Sequence, residues 1–134
     1  MMALLSDALQ TAIYSRLAGD APLATLVGAH VYDAVPAGPL PDIYVLIGEE
    51  AVKDASDKLA QGALHDVKIS VISSVDSFLA LKEAAAAITS AMDAPVLTLS
   101  RGAVAGLWFR GAQSKRNAAG QRRIDLSFRV RVDG

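Results

Sequence analysis

The sequence predicts an α+β fold, a four-stranded, mainly antiparallel sheet packed by two main helices. Two segments carry apolar residues at the three- and four-residue spacing of a helix, and two others alternate between apolar and polar residues as strands do. The predicted order is helix, short helix, two strands, helix, two strands. The length of 134 residues suits a single domain, which we expect to span 1–134. Helices gathered mainly on one face of such a sheet are typical of the α+β class.

The first predicted helix runs from about Leu4 to Leu17, where apolar residues recur every fourth position and form one stripe. A short second helix follows over residues 20–28. Asp20 is expected to cap its start, and Gly28 is expected to end it.

A proline-rich segment precedes the first long apolar run. Residues 31–33 are predicted to be a short extended piece, and Pro36, Pro39 and Pro41 then lead to the run Ile43–Ile47. Because proline fixes φ and favours an extended preceding residue, this segment is predicted to be a stiff connector. Five successive apolar residues predict a strand that is buried on both faces. Either helices cover both faces, or another subunit covers one of them.

The middle of the chain is predicted to contain a long loop, a strand and the main helix. Residues 49–64 are polar and mixed in charge, so they are interpreted as an exposed loop, whereas residues 66–73 alternate as a half-buried strand does. The helix is expected to begin after Asp76 or Ser77 and to end at residues 93–95. Its predicted apolar face consists of Phe78, Leu81, Ala85, Ile88 and Met92.

The C-terminal third is predicted to be a strand pair, Val104–Arg110 and Arg123–Val132, joined by a basic turn over residues 111–121. The second strand has the clearest alternation in the sequence. Its core-facing residues are predicted to be Ile124, Leu126, Phe128, Val130 and Val132, and its outward residues Arg123, Asp125, Ser127, Arg129 and Arg131.

The net charge of −1 conceals an asymmetry along the chain. Residues 1–66 contain three basic and nine acidic residues, and residues 67–134 contain ten basic and five acidic residues. A protein with an acidic and a basic surface can pair with copies of itself, although both surfaces can equally be solvated.

The residues give no indication of a catalytic, cofactor or metal site. There is no cysteine, the two histidines, His30 and His65, lack close-spaced partner ligands, and no glycine-rich phosphate loop is present. No apolar run approaches the roughly 20 residues of a membrane span, and the N-terminus lacks the features of a signal peptide. The basic cluster of the last third is interpreted as a polar strand face with a solvated turn in preference to a nucleic-acid site, and a subunit interface is a third option.

Residues 9–50 read LQTAIYSRLAGDAPLATLVGAHVYDAVPAGPLPDIYVLIGEE. A helix with IYSRL, then DAPLATLVG, VYDAVP and a proline before YVLIGE resembles the small tail completion or tail terminator proteins of long-tailed bacteriophages, prophages and gene transfer agents. The later order, HDVKISVIS, an alanine-rich helix, DAPVLTL and IDLSFRVRV, also fits, so the resemblance covers nearly the whole chain.

The resemblance implies a structural protein of a virion or phage-like particle, not an enzyme, made in the bacterial cytoplasm and needing no cofactor and no membrane. Members of this family form hexameric rings at the head-proximal end of the tail tube. They end tube polymerisation and dock the head connector or stopper protein, and the genome passes through the ring without sequence-specific binding. The alternatives are another neck component, such as a head-closure protein, or a small dimeric enzyme or ligand-binding module.

A ring requires each subunit to present two different surfaces. We therefore expect the strand 43–47 to lie in the centre of the sheet near a subunit contact, the acidic segment 49–57 to face the lumen or the tail tube, and the basic outer face to meet an acidic neighbour or the connector. The candidate contact residues are Ile43, Val45, Ile47, Glu49, Glu50, Asp54, Asp57, Trp108, Arg110, Lys115, Arg116, Arg123, Arg129 and Arg131.

Overall fold

The computed structural model describes residues 4–57, 61–75, 77–93 and 95–134. Within these ranges, three helices and five strands follow one another as α1 (Ser6–Ala18), α2 (Ala21–Val27), β1 (Val31–Tyr32), β2 (Ile43–Asp54), β3 (Gly62–Ser73), α3 (Phe78–Asp93), β4 (Ala103–Arg116) and β5 (Arg122–Asp133). The α+β class is confirmed. The described residues form a five-stranded mixed sheet, not the predicted four-stranded one, because the short piece at Val31–Tyr32 pairs in parallel with β2.

The sheet order is β1-β2-β3-β5-β4, and all pairs except β1 with β2 are antiparallel. Its centre is the pair β3 and β5, in which Gly62 lies opposite Asp133 and Ser73 lies opposite Arg122 with no shift in register between them. Side chains of a strand alternate between the two faces. This pairing therefore assigns every residue of both strands either to the face that the helices cover, here called the helix face, or to the opposite one, here called the polar face.

The core lies between the helix face and the three helices. The predicted inward residues of β5 are all buried, from Ile124 to Val132, as are alternate residues of β3 such as Ile69 and Val71. The helices contribute Leu9, Ile13 and Leu17 of α1, Leu23 and Val27 of α2, and Leu81, Ala84, Ile88, Ala91 and Met92 of α3. Each large apolar side chain buried in this way contributes about 1.5–3 kcal/mol relative to exposure.

The ends of the helices follow their sequence signals. The side chain of Asp20 accepts a hydrogen bond from the Leu23 amide at 3.0 Å, so it caps α2 as predicted. Gly28 ends that helix with a φ of 62°, which glycine adopts without a steric penalty. Before α3, the Ser77 hydroxyl accepts a hydrogen bond from the Leu79 amide at 3.2 Å, and Asp76, the other predicted cap, lies outside the described residues.

The prediction of a long loop over residues 49–64 is wrong. Strand β2 continues to Asp54, and β3 begins at Gly62, so most of this segment is an antiparallel hairpin. A register shift between Ile47 and Glu50 marks a bulge, after which all residues of β2 are exposed. Exposure on both sides explains why this half of the strand lacks the alternation by which a strand is recognised.

The C-terminal hairpin is also longer than predicted, since β4 extends to Arg116 and β5 begins at Arg122. The predicted turn therefore shortens to residues 117–121. The Asn117 side-chain oxygen accepts hydrogen bonds from the amides of Ala119 and Gln121, at 3.1 and 2.9 Å, and Gly120 has a φ of 83°. Asparagine and glycine provide this geometry, because one closes the turn with its side chain and the other tolerates a positive φ.

The apolar run of β2 is covered in part on both faces by its own chain, since Ile43 and Leu46 are half-buried and the other three residues are buried. Val45 and Ile47 are buried in the core on the helix face. Tyr44 points to the opposite face and is also buried, with its ring centroid 5.9 Å from that of Tyr32 in β1. The second face is thus covered at Tyr44 without a further helix layer or a second subunit.

None of the helices in the described part of the chain is both long and apolar enough to cross a membrane.

Replacing Asp20 by alanine should lower the free energy of unfolding by about 1 kcal/mol, because the capping hydrogen bond to the Leu23 amide is lost. Thr25→Ala is the matched control, since Thr25 is an exposed residue in the same short helix and its replacement should change stability by less than about 0.5 kcal/mol. Urea denaturation monitored by circular dichroism measures both changes. Equal effects of the two substitutions would contradict the capping role.

Candidate subunit and partner interface

The polar face of the sheet gathers charged residues from both halves of the sequence. Register places Asp66 opposite Arg129, Lys68 opposite Ser127, and Ser70 opposite Asp125. The charged and hydroxyl side chains of this face, together with Trp108, are Glu49, Asp66, Lys68, Ser70, Trp108, Arg110, Lys115, Arg123, Asp125, Ser127, Arg129 and Arg131.

Asp66 and Arg129 form a two-pronged ion pair across the centre of the polar face. Arg129 Nε and Nη2 donate to the two carboxylate oxygens of Asp66 at 2.8 and 3.2 Å. These hydrogen bonds, and the positive charges of Arg129 and Arg110, hold the pKa of Asp66 below its usual value despite partial burial. The Asp66 side chain is 47% exposed, so solvent screens the pair and its contribution to stability is small.

Asp125 is the most buried acid among the described residues, although its position in the alternation of β5 predicted an outward side chain. The Ser70 hydroxyl donates to it at 2.6 Å, Arg123 Nε at 2.9 Å, and Lys115 Nζ approaches its other oxygen to 3.1 Å. Its side chain is only 5% exposed. Burial by itself would raise the pKa of Asp125, but the hydrogen bonds from Ser70, Lys115 and Arg123 outweigh it, so the pKa is lowered.

The candidate basic residues of the last third are largely paired within the chain. Arg123 and Lys115 contact Asp125, Arg129 contacts Asp66, and Arg131 Nε donates to Asp133 at 2.9 Å. Arg116 is exposed near the end of β4, where it lies opposite Arg122 and not on the polar face. Pairs such as Asp66 with Arg129 join the acidic and basic halves inside one molecule, so part of the charge asymmetry is already neutralised there.

The candidate residues of β2 divide at its bulge. Ile43 is half-buried and packs against the core, and Val45 and Ile47 belong to the core. Beyond the bulge, the Glu49 side chain is 86% exposed on the polar face, with Lys68 Nζ at 3.5 Å, whereas Glu50 approaches the buried His65 ring, Nδ1 to Oε2, at 3.3 Å. The apolar and acidic parts of β2 therefore offer different surfaces.

The acidic residues after Glu50 lie at the end of the hairpin. Asp54 accepts hydrogen bonds from the Ser56 hydroxyl and amide at 2.7 and 3.1 Å, which lower its pKa. Asp57 is exposed in the following loop. Both residues remain candidates for a partner contact, because they lie at the exposed end of the hairpin.

Trp108 and Phe109 are the large apolar candidates on β4, and they are 50% and 52% exposed. Register places Trp108 opposite Arg129 on the polar face. It places Phe109 opposite Phe128 on the helix face, where the centroids of these two phenylalanine rings are 5.7 Å apart. The indole of Trp108 lies against the backbone of Gly106, where a side chain would collide with it. Arg110 follows in a bulge and, with Glu49, Asp66 and Lys68, lines a shallow depression of the polar face.

The two histidines are separate in the structure. His30 Nδ1 lies 2.8 Å from the Tyr32 hydroxyl, and His65 contacts Glu50. Among the residues that the structure describes, no three histidine or acidic side chains are grouped as metal ligands would be.

Two comparisons with known proteins, one of family models and one of solved structures, gave matches along the chain. The model of the family "Tail completion protein gp17" matches residues 11–133, which is most of the chain. The chain belongs to this family of tail completion proteins. A solved structure described as "Virion of native gene transfer agent (GTA) particle" contains a chain with 51% sequence identity and a TM-score of 0.93, and the match covers 99% of this tail completion protein and 100% of that chain. The search of curated proteins gave no significant match.

Sequence reasoning missed Asp66, Ser70 and Asp125 as organisers of the polar face. A signal was present, because Asp125 is the sole acid between Arg101 and Arg131. An acid among so many cations indicates an ion-pair cluster. The burial of Asp125 could not be predicted in the same way, because Ser70 becomes its neighbour only through the register of β3 and β5.

Asp125→Asn should lower the free energy of unfolding at pH 7 by about 1–3 kcal/mol, because it removes a buried charge and leaves Ser70, Arg123 and Lys115 poorly paired. Asp66→Asn is the matched control: it is the same substitution in an exposed pair and should cost at most about 1 kcal/mol. Urea denaturation of both variants makes the comparison. A larger loss for Asp66→Asn would contradict this ranking.

Acid should destabilise the protein, because the pKa values of Asp54, Asp66 and Asp125 are all lowered by folding. An aspartate whose pKa is lower in the folded state than in the unfolded state stabilises the folded protein. This stabilisation is fully present above the unfolded-state pKa of about 3.9, and it is lost as the pH falls through the folded-state pKa. The free energy of unfolding should therefore decrease from pH 5 towards pH 2, and the decrease should be smaller in Asp125→Asn. An unchanged pH dependence in that variant would contradict the lowered pKa of Asp125.

Proposed function

We propose that this chain is a structural protein of a phage-like tail, where copies form a ring at the head-proximal end. The ring would end polymerisation of the tail tube and join the tail to the head connector, with the genome passing through its lumen. The observation that carries the proposal is the match along the whole chain to a chain of a gene transfer agent virion, together with membership of the tail completion family. The same observation supports a role in the particle and not in catalysis.

The molecule has features that suit such a role. Among the described residues, three helices cover one face of the sheet, while much of the polar face and the distal half of β2 are exposed. Trp108 and Phe109 leave apolar area exposed beside charged residues, a composition found at protein interfaces. These surfaces are available to neighbouring copies, to the tube and to the connector.

Two contact regions are proposed from the positions of the candidate residues. The acidic residues Glu49, Glu50, Asp54 and Asp57 would face the lumen, the tube or a neighbour, and the arginines Arg123, Arg129 and Arg131 would face an acidic neighbour or the connector. Each of these arginines keeps a partner in its own chain, so they would contribute orientation and specificity more than raw affinity. We further propose a hexameric ring, as the family resemblance implies.

Deletion of the gene from the genome that encodes the particle tests the function directly. Particles made without the protein should have tails of irregular length, or tails separated from heads, in negative-stain electron microscopy. Expression of the wild-type chain in trans should restore tails of uniform length on full heads. Uniform, attached tails in the absence of the protein would overturn the proposal.

A further inference from the structure

Strand β4 leaves one edge of the sheet free. It is the last strand in the order, and within the described chain it pairs only with β5 along its fourteen residues, Ala103–Arg116. The strand contains Arg110, Lys115 and Arg116 and no acidic residue. A sheet edge presents unpaired amide and carbonyl groups that can bind another strand. This edge therefore combines open backbone groups with basic side chains, of which Lys115 also contacts Asp125 of β5.

The opposite edge is free over half its length and carries the opposite charge. β1 pairs with β2 only at Val45 and Leu46, so among the described residues no strand lies beside residues 48–54 on that side. That segment contains three acidic residues, Glu49, Glu50 and Asp54, against one lysine, Lys53. The two edges are complementary in charge.

The two edges cannot meet within one molecule. Strands β3 and β5 lie between β2 and β4, so about 14 Å of sheet separates them, at about 4.8 Å for each step between strands. A second copy of the chain brings both edges together. The contact joins different surfaces of the two copies, which is the heterologous type from which rings are built.

Extending the register of one molecule to a second copy gives the residues that would face each other. Glu50 lies opposite Val67, Val67 opposite Phe128, and Phe128 opposite Phe109, so one line across the sheet joins Glu50 to Phe109. A second copy placed beside the first without a shift along the strands brings its Glu49 to the Arg110 of the first. Because neighbouring strands in β2-β3-β5-β4 are antiparallel, β4 and the second copy's β2 would be antiparallel too.

The side chains at this level suit the contact. Arg110 and Glu49 both lie on the polar face, where they line the same depression from its two sides. Trp108 and Phe109 are each half-exposed on opposite faces of the sheet beside the edge, and Val52 is 38% exposed on the distal half of β2. Aromatic residues beside a charged pair are the kind of group that concentrates binding energy at interfaces.

We propose that the β4 edge of one copy pairs with the distal edge of β2 in the next copy, with Arg110 of the first opposite Glu49 of the second. The inference rests on the proposed function, since it names the surfaces through which copies in the ring join. The bulges at residues 104–106 and 109–111 limit the length of the pairing and reduce indiscriminate pairing of the edge.

Disulfide cross-linking tests this contact, because the wild-type chain has no cysteine. We expect a mixture of the Glu49→Cys and Arg110→Cys single variants to form a covalent dimer on mild oxidation, since opposed residues on paired strands have Cβ atoms about 4.5–5.5 Å apart. The yield should exceed by roughly tenfold that of Arg110→Cys mixed with Lys82→Cys, whose new thiol lies on the exposed side of α3. Nonreducing electrophoresis and peptide mass spectrometry identify the products.

Two samples are oxidised: the mixed single variants at high protein concentration, and particles that contain the Glu49→Cys/Arg110→Cys double variant. The double-variant particles should give a ladder of linked copies. Efficient dimers of Arg110→Cys alone would overturn the proposal, because they require a two-fold contact. No cross-link above the control in either sample would overturn it as well. If the double-variant particles carry uniform, attached tails but give no cross-link above the control, the edge contact alone is wrong; if particles lacking the protein also have such tails, the proposed function is wrong.

Discussion

The uninterrupted pairing of β3 with β5 is the constraint on which the rest of the molecule depends. Because the side-chain period of a strand is two, a slip of one residue would move the apolar residues of β5 to the solvent side. The observed register places Leu126 and Phe128 beside Ile69 and Val67 on the helix face. The three helices can then cover a continuous apolar surface, and the core and the choice of face are determined together.

The same register assembles the polar face. Asp66 meets Arg129, and Ser70 meets Asp125, only because these residues occupy alternate positions in strands that are about sixty residues apart in sequence. Packing on one face and hydrogen bonding on the other therefore favour the same alignment, and a slipped sheet would lose both. The buried Asp125 adds selectivity, since an unpaired carboxylate at that depth would be costly. An apolar residue at 125 would provide no such penalty against misalignment.

The elements that the sequence predicted well are those with one buried and one solvated side. Strand β5 and helix α1 have such patterns and were predicted to within about two residues, and the Asp20 cap was predicted from the residue type that precedes α2. The distal half of β2 and residues 112–116 of β4 are exposed on both sides, so strand periodicity gave no signal for residues 49–54 or 111–116. The partners that the candidate charged residues have within the chain depend on strand order. That order is a tertiary property, which a single sequence does not contain.

The two edges of the sheet differ in a way that matters for self-assembly. An open sheet with identical free edges can add strands without limit, and natural proteins avoid this with charges, bulges and short edge strands. Here β1 shields the proximal half of β2, the bulges interrupt β4, and the charges of the two edges are opposite. Like edges would repel and unlike edges would attract, so in the proposed assembly these features would restrict pairing to a short heterologous contact. Such a contact closes into a ring when the rotation between copies divides a full turn and otherwise yields a filament. The angle at which the short segment 48–54 meets β4 would therefore decide between the two, and the bulge in β2 next to Glu49 is positioned to control it.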